Sequence, residues 1–186
     1  MRQPAAAEQR GDGRNIVLIG PMGSGKSTVG AALARRLHRP HVDSDHFFVA
    51  RHGPIPEYFS LHGEDAFRAE EQSIVAELLD SPRPSVISLG GGAVLSAGTR
   101  ELLRDQQVVL LDLTEDQAAL RLGDGSSRPI LGAHPVQAWK RIYAEREQIY
   151  RDCADIVMTP DDAHIDVRVD HIVRALNTTS RRDPSV

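Results

Sequence analysis

The stretch NIVLIGPMGSGKST, residues 15–28, determines the fold prediction. A short apolar run leads directly into a glycine-rich turn that matches the pattern G-x-x-x-x-G-K-[ST] at Gly20, Gly25, Lys26 and Ser27. Glycines allow backbone N–H groups to turn inward around phosphate oxygens, and the positive end of the following helix faces the same anion. The stretch therefore predicts a nucleotide-binding P-loop (Walker A motif). Lys26 would lie near the β- and γ-phosphates, and Ser27 would offer its hydroxyl to Mg²⁺.

Short runs rich in Val, Ile and Leu alternate with helical patterns along the rest of the chain. The predicted strands are residues 15–19, 40–43, 84–89, 107–113 and 154–159, and the predicted helices are about 26–38, 44–51, 63–80, 97–105, 115–121, 135–152 and 163–176. The strands do not alternate polar and apolar residues, which is typical of parallel strands covered on both faces. This order predicts an α/β fold with a parallel sheet and right-handed crossovers.

The composition is that of one soluble globular domain. The chain has 186 residues, of which 40% are hydrophobic and 26% charged, enough for one core. A net charge of −4 provides no global attraction for nucleic acid or anionic lipid, and no apolar run is long enough to span a bilayer. The only cysteine, Cys153, excludes an internal disulfide and a Cys-rich zinc site. We expect a cytoplasmic monomer without nucleic-acid or membrane partners.

Three segments lie outside the strand and helix patterns. Residues 1–13 and 178–186 are predicted to be disordered tails around one domain, residues 14–177. The stretch LGDGSSRPILGAHP, about residues 122–135, is rich in Gly and Pro and is predicted to be a mobile lid. Within it, Arg128 either stabilises charge on a transferring phosphoryl group or is a loop arginine in water. Arg121, just before the lid, is a candidate to lie flat on an adenine ring.

Two further strand ends carry residues that point to a binding site. The second strand is followed by DSD, with Asp43 and Asp45 at the edge of the sheet where α/β folds bind ligands. One acid would serve the metal and the other would accept a hydroxyl proton, but either acid could instead cap a helix. The third strand ends in Gly90, Gly91 and Gly92, which indicate either a close approach to a ligand or a flexible turn.

The arginines outside the lid are open to two interpretations. Arg68 and Glu71 are three residues apart on a predicted helix and can pair, although most such pairs are solvated. Arg146 is equally compatible with a surface helix. Among function classes, a GTPase would need an Asn-Lys-x-Asp motif, which the chain lacks, and many transport or motor ATPases have an acid where this chain has the three glycines. A small-molecule kinase and a non-catalytic nucleotide-binding module both remain.

The combined motifs resemble the shikimate kinase family. The resemblance covers about residues 14–176 and rests on NIVLIGPMGSGKSTVG, DSD, FSLHGEDAFRAEE, LGGGAV, SSRPIL and AEREQIY in this order. It implies transfer of the γ-phosphoryl group of ATP to the 3-hydroxyl of shikimate, a step of aromatic amino-acid (chorismate) biosynthesis. It also implies a three-layer sandwich around a five-stranded parallel sheet of order 2-3-1-4-5. The alternative is a P-loop kinase of another small polyhydroxylated acid, such as gluconate.

The resemblance implies a role for each matched residue. ATP would be bound by Gly23, Ser24, Gly25, Lys26, Ser27, Thr28, Arg121 and Arg128. Shikimate would be bound by Asp45, Arg68, Gly90, Gly91, Gly92 and Arg146, with an acceptor-binding segment at about residues 44–71. One Mg²⁺ per subunit would be held by Ser27 and Asp43. Lys26, Asp45 and Arg128 would be catalytic, and Glu71 would steady Arg68.

Four positions are not explained by this pattern. Gln148 stands where the family often has proline, two residues after Arg146. Pro54 and Pro56 are expected to stiffen the entry to the acceptor-binding segment. Trp139, the only tryptophan of the chain, is expected to pack and not to contact a ligand.

Overall fold

Five parallel strands form the centre of the computed structural model, which describes residues 13–122, 134–159 and 163–179. The strands are β1 (Ile16–Ile19), β2 (His41–Asp43), β3 (Val86–Ser88), β4 (Gln107–Leu111) and β5 (Ile156–Met158). Their order in the sheet is β2-β3-β1-β4-β5, and every pair is parallel, which confirms the predicted topology. Every residue of β1, β3 and β4 is buried, which explains their uninterrupted apolar sequence.

Helices cover both faces of the sheet. In the part of the chain that the structure describes, they are α1 (Lys26–Leu37), α2 (Ser44–His52), α3 (Ile55–Leu79), α4 (Ala97–Leu103), α5 (Glu115–Leu122), α6 (Pro135–Cys153) and α7 (Ile165–Thr179). Alternate residues of β1 face opposite layers: Ile16 and Leu18 pack with α1 and α7, whereas Val17 and Ile19 pack with α3 and α6. This is the predicted three-layer sandwich.

Helix α3 begins earlier than the helix predicted at 63–80: the prediction matches the segment after Gly63, but the segment at residues 55–62 was missed. It starts at Ile55 directly after Pro54, and Pro56 lies in its first turn, where a missing backbone N–H removes no helical hydrogen bond. Gly63 interrupts the helix with φ 81° and ψ 174°, so that α3 consists of two helical segments joined at a kink. The prolines therefore start a helix, which the predicted pattern missed.

Part of the predicted lid and tails falls outside the described residues, including Arg128. Of the lid segment, the structure describes only its two ends, Leu122 at the end of α5 and residues 134–135 at the start of α6. Across the helices of the described ranges, none combines the length and the apolar character that crossing a membrane requires.

The sheet topology brings the predicted motifs to one edge. Because the strands are parallel, the P-loop after β1, the DSD motif after β2 and the glycine triplet after β3 all leave the sheet at its carboxyl end. Asp43 lies in register with Ser88 of β3, and Ser88 with Leu18 of β1. Residues far apart in sequence are therefore neighbours at this edge.

Candidate active site

The P-loop wraps around the start of α1, and its glycines permit this path. Gly25, the residue before α1, has a left-handed conformation with φ 88°. Gly20 has φ 139°, and a Cβ there would overlap the carbonyl oxygen of Leu111. The Lys26 ammonium donates to the carbonyls of Gly20 (2.8 Å) and Pro21 (3.0 Å). The Lys26 side chain thus holds both carbonyls, while α1 directs its N-terminal end toward the loop.

A cavity of about 960 Å³ lies at the carboxyl edge of the sheet. This volume is at the upper end of the range for small-molecule sites and has room for two ligands side by side. The predicted site residues that line it are Gly23, Gly25, Lys26, Ser27, Thr28, Asp43, Asp45, Arg68, Gly90, Gly91, Gly92 and Arg146. The structure therefore brings most of the predicted site together.

Two predicted ATP-binding residues lie beside this cavity. The Ser24 side chain is buried, and its backbone N–H donates to Pro21 within the loop. Arg121 is exposed at the end of α5, and its guanidinium donates to the carbonyl of Gly23 at 3.4 Å. Arg121 thus lies against the P-loop, close to where a nucleotide would bind.

The glycine triplet provides a wall on which charged side chains pack. None of the three has a positive φ, so space and not backbone conformation excludes a side chain. A Cβ on Gly90 would overlap the Asp45 carboxylate, and a Cβ on Gly92 would overlap the Arg68 guanidinium. A Cβ on Gly91 would make only ordinary contacts of 3.7 Å. The triplet is therefore a close-approach surface and not a flexible turn.

Arg68 and Glu71 form a largely buried ion pair, unlike the solvated pair that their spacing also allowed. The Arg68 Nη1 atom lies 2.6 Å from Glu71 Oε2, and the side chains are only 24% and 7% exposed. Burial raises the pKa of Glu71, while the positive charge of Arg68 acts in the opposite direction. The pair places a guanidinium against the wall at Gly92.

Arg146 reaches the same wall from α6. Its Nη1 atom donates to the carbonyl of Gly91 at 3.2 Å, and the Tyr150 hydroxyl donates to the same oxygen. Burial raises the pKa of Tyr150, so its hydroxyl remains a donor. Two guanidinium groups, from Arg68 and Arg146, thus face adjacent glycines and form a positive pole.

The two acids of the DSD motif have different environments. Asp43 caps α2: its Oδ1 accepts from the backbone N–H of Asp45 (3.1 Å) and His46 (3.3 Å). Its Oδ2 accepts from the Ser27 hydroxyl at 2.5 Å. Asp45 is largely buried, and burial, followed by the negative charge of Asp43, raises its pKa. The capping role thus belongs to Asp43, while Asp45 is the carboxyl suited to accept a proton.

The sequence interpretation missed two groups of lining residues. Helix α6 contributes Trp139, Ile142, Tyr143 and Tyr150, and α3 contributes Ile55, Pro56, Phe59 and Phe67. Trp139 does pack as expected, at 3% exposure, yet it also lines the cavity. The spacing of residues 139, 143, 146 and 150 places them on one helix face. This spacing could have predicted that they line the same site as Arg146.

Comparisons with known proteins identify the family of this chain. The family model described as Shikimate kinase matches residues 22–177. A shikimate kinase from Streptomyces coelicolor is 42% identical over 147 residues, which cover 78% of this chain and 85% of that protein. The solved structure of a shikimate kinase from Acinetobacter baumannii in complex with shikimate has a TM-score of 0.84 and 32% identity, covering 91% of this chain and 96% of that chain.

The comparison with a gluconokinase supports the fold alone. The gluconokinase from Sinorhizobium meliloti has a TM-score of 0.64 and 22% identity, covering 92% of this chain and 96% of that chain. The family match, in contrast, extends over most of the chain and includes the second half of the P-loop with Lys26 and Ser27, the DSD motif and the glycine triplet. The chain belongs to the shikimate kinase family.

Proposed function

We propose that this ATP-dependent kinase transfers the γ-phosphoryl group of ATP to the 3-hydroxyl of shikimate, giving shikimate 3-phosphate and ADP for aromatic amino-acid biosynthesis. One observation carries the proposal: a single cavity joins the P-loop to a wall on which Asp45, Arg68 and Arg146 converge. A small acid with hydroxyl groups matches these side chains, with its carboxylate facing the two arginines and its hydroxyls facing Asp45. Guanidinium groups bind carboxylates through charge-assisted hydrogen bonds, and a carboxylate accepts from hydroxyls.

The positive pole at the glycine wall would bind the carboxylate of shikimate. Arg68 and Arg146 are held by Glu71 and by the carbonyl of Gly91, so both guanidinium groups are oriented before the ligand arrives. Such preorganisation reduces the entropy lost on binding. Asp45 would then accept hydrogen bonds from the ring hydroxyls, and the bare triplet would let the ring approach the backbone.

The phosphoryl transfer would use both sides of the cavity. The P-loop and Lys26 would hold the β- and γ-phosphates, and Asp45 would take the proton of the attacking hydroxyl. Arg121 would cover the adenine. Arg128, outside the described residues, would contact the transferring phosphoryl group. Each of these residues would either position a substrate or stabilise negative charge in the transition state, and these two effects dominate catalysis of phosphoryl transfer.

Ser27 and Asp43 fit a Mg²⁺ site that also uses the phosphates of ATP. Their oxygens are 2.5 Å apart beside the P-loop. In the described ranges no group of three or more His, Cys, Asp or Glu residues could form an all-protein metal site. Mg²⁺ does not require an all-protein site, because it usually binds one or two protein carboxylates together with phosphate oxygens and water. We propose one ion per subunit, which would neutralise charge on the phosphates.

The proposed partners are small molecules only. With a net charge of −4, the chain has no global field to attract nucleic acid or an anionic lipid surface. A monomer in the cytoplasm remains our prediction.

ADP release from ATP tests the reaction directly. We expect release with shikimate and Mg²⁺, and background release with gluconate, without an acceptor, or without Mg²⁺. The reason is that transfer requires an acceptor whose carboxylate binds at the positive pole and whose hydroxyl contacts Asp45, next to the nucleotide in the same cavity. Release with gluconate instead of shikimate would overturn the acceptor assignment while leaving the kinase assignment in place.

Replacing Arg68 with alanine tests the positive pole. Loss of a charge-assisted bidentate contact is expected to raise the Kd of shikimate about 10- to 150-fold while changing that of ATP less than about twofold. The matched control is Arg104→Ala, because Arg104 also pairs with a glutamate three positions away but is 74% exposed. Isothermal titration calorimetry measures both affinities. Equal loss of ATP and shikimate binding would contradict the assigned role.

Replacing Asp45 with asparagine separates catalysis from stability. We expect turnover to fall at least about 100-fold, because the proton acceptor is lost. Since the folded-state pKa of Asp45 is raised, its ionisation opposes folding above its unfolded-state pKa. Asp45→Asn should therefore increase the free energy of unfolding at pH 7, and this gain should disappear as the pH falls below the ordinary range of a carboxyl.

Urea unfolding at pH 7 and at low pH, together with steady-state rates, checks both effects. The control is Asp105→Asn, an exposed position in the turn before β4, which should leave turnover and stability nearly unchanged. Wild-type turnover in Asp45→Asn would exclude the catalytic role.

A further inference from the structure

One face of α6 spans the cavity from the P-loop to the glycine wall. Trp139, Tyr143, Arg146 and Tyr150 follow each other at spacings of four, three and four residues, which places them in one row along the helix. All four line the cavity. With a rise of about 1.5 Å per residue, the row is roughly 16 Å long. Both ends of the reaction site therefore contact the same rigid element.

The first end of the row is bonded to the P-loop. The Trp139 indole N–H donates to the carbonyl of Met22 at 2.9 Å, and the Met22 side chain packs against the same cluster as the indole ring. The indole is only 3% exposed, so water cannot easily replace this bond. One directional contact thus ties the P-loop to α6, in addition to the packing of Met22.

The middle of the row is anchored to the sheet. The rings of Trp139 and Tyr143 stack with centroids 4.9 Å apart and planes at 8°. The Tyr143 hydroxyl donates to Asp112 Oδ1 at 2.6 Å, and Arg151 donates to Oδ2 at 2.8 Å. Burial, supported by the bond to Asp112, raises the pKa of Tyr143, so the hydroxyl stays protonated. Asp112 directly follows β4, and α6 is therefore held against the edge of the sheet.

The far end of the row is bonded to the acceptor wall. Arg146 and Tyr150 both donate to the carbonyl of Gly91. A shift of the P-loop relative to α6 would therefore change the distance between the bound phosphates and the acceptor hydroxyl. Direct transfer requires reacting atoms about 3–3.5 Å apart, and a misplacement of about 1 Å can lower the rate about 100-fold.

We infer that Trp139 is a positioning residue for phosphoryl transfer: its bond to the Met22 carbonyl sets the distance between the P-loop and the acceptor wall held by Arg146 and Tyr150. This inference rests on the proposed function for the identity of the two ligands. It gives a role in the reaction to a residue that the sequence suggested was packing alone.

Trp139→Phe tests this role through the difference between turnover and affinity. Phenylalanine keeps a ring to stack on Tyr143 but removes the N–H group. We expect kcat to fall about 10- to 100-fold, while the Kd values of shikimate and ATP change less than about threefold, because alignment and not binding is lost.

Ser85→Ala is the matched control. This substitution also removes a buried hydroxyl that donates to a backbone carbonyl, that of Arg83. Ser85, however, lies just before β3, at the amino-terminal end of the strands and away from the cavity. We expect a drop in Tm no larger than that of Trp139→Phe, with kcat within about twofold of the wild type. The inference is overturned if Trp139→Phe keeps wild-type kcat, or if Ser85→Ala loses kcat to the same extent.

A measurement on the wild-type protein keeps the inference testable if the variant does not fold. Because Trp139 is the only tryptophan, the indole N–H gives a single resonance in a nitrogen–proton correlation spectrum. We expect this resonance to shift when either shikimate alone or a non-hydrolysable ATP analogue alone is added. An unchanged resonance at saturating shikimate would contradict the inference. Failure of the proposed function is distinguishable, because the wild type would then release no ADP with shikimate.

Discussion

The bare backbone at Gly90–Gly92 is the constraint on which the acceptor side of the cavity depends. Asp45 from α2 and Arg68 from α3 lie where side chains on Gly90 and Gly92 would otherwise be. Arg146 from α6 bonds to the carbonyl of the middle glycine. Three separate helices thus converge on the end of one buried strand. With side chains at positions 90 and 92, the Asp45 carboxylate and the Arg68 guanidinium could not occupy their present places at this wall.

The charges that meet at this wall are tolerated because they balance each other. An unpaired charge in a buried position is strongly destabilising. Glu71 is nearly buried, but it has Arg68 as a partner at 2.6 Å, and the charges of Lys26 and Arg68 partly offset the cost of ionising Asp45. The raised pKa of Asp45 shows that the compensation is incomplete. The carboxylate that we propose as proton acceptor therefore reduces stability at neutral pH, and such a cost is frequent in active sites.

The P-loop was predictable because its chemistry is local. Gly20, Gly25, Lys26 and Ser27 lie within eight consecutive residues, and the strand and helix on either side follow from adjacent patterns. Most element positions also agreed, because parallel strands have continuous apolar sequences, whereas the sheet order came from the family resemblance and agrees with the structure. The start of α3 at Ile55 was not found, since prolines and the kink at Gly63 interrupt its pattern.

Contacts between distant parts of the chain were harder to predict. The spacing of Arg68 and Glu71 indicates that they can pair, but their burial depends on the packing of α3 against the glycine wall. The bond between Trp139 and Met22 joins residues 117 positions apart, and no local pattern contains it. Asp112 follows β4 at the same sheet edge, yet its partners Tyr143 and Arg151 come from α6. These features depend on tertiary packing, which a single sequence does not display.

The most direct test of the account is the affinity of shikimate for Gly92→Ala and Gly91→Ala, measured by calorimetry. A methyl group at position 92 would displace the flexible Arg68 guanidinium, whereas at position 91 it makes ordinary contacts. The account predicts that Gly92→Ala binds shikimate at least about 10-fold more weakly, with near-wild-type ATP affinity, and that Gly91→Ala loses less. Wild-type shikimate affinity in Gly92→Ala would contradict the central role of the bare wall.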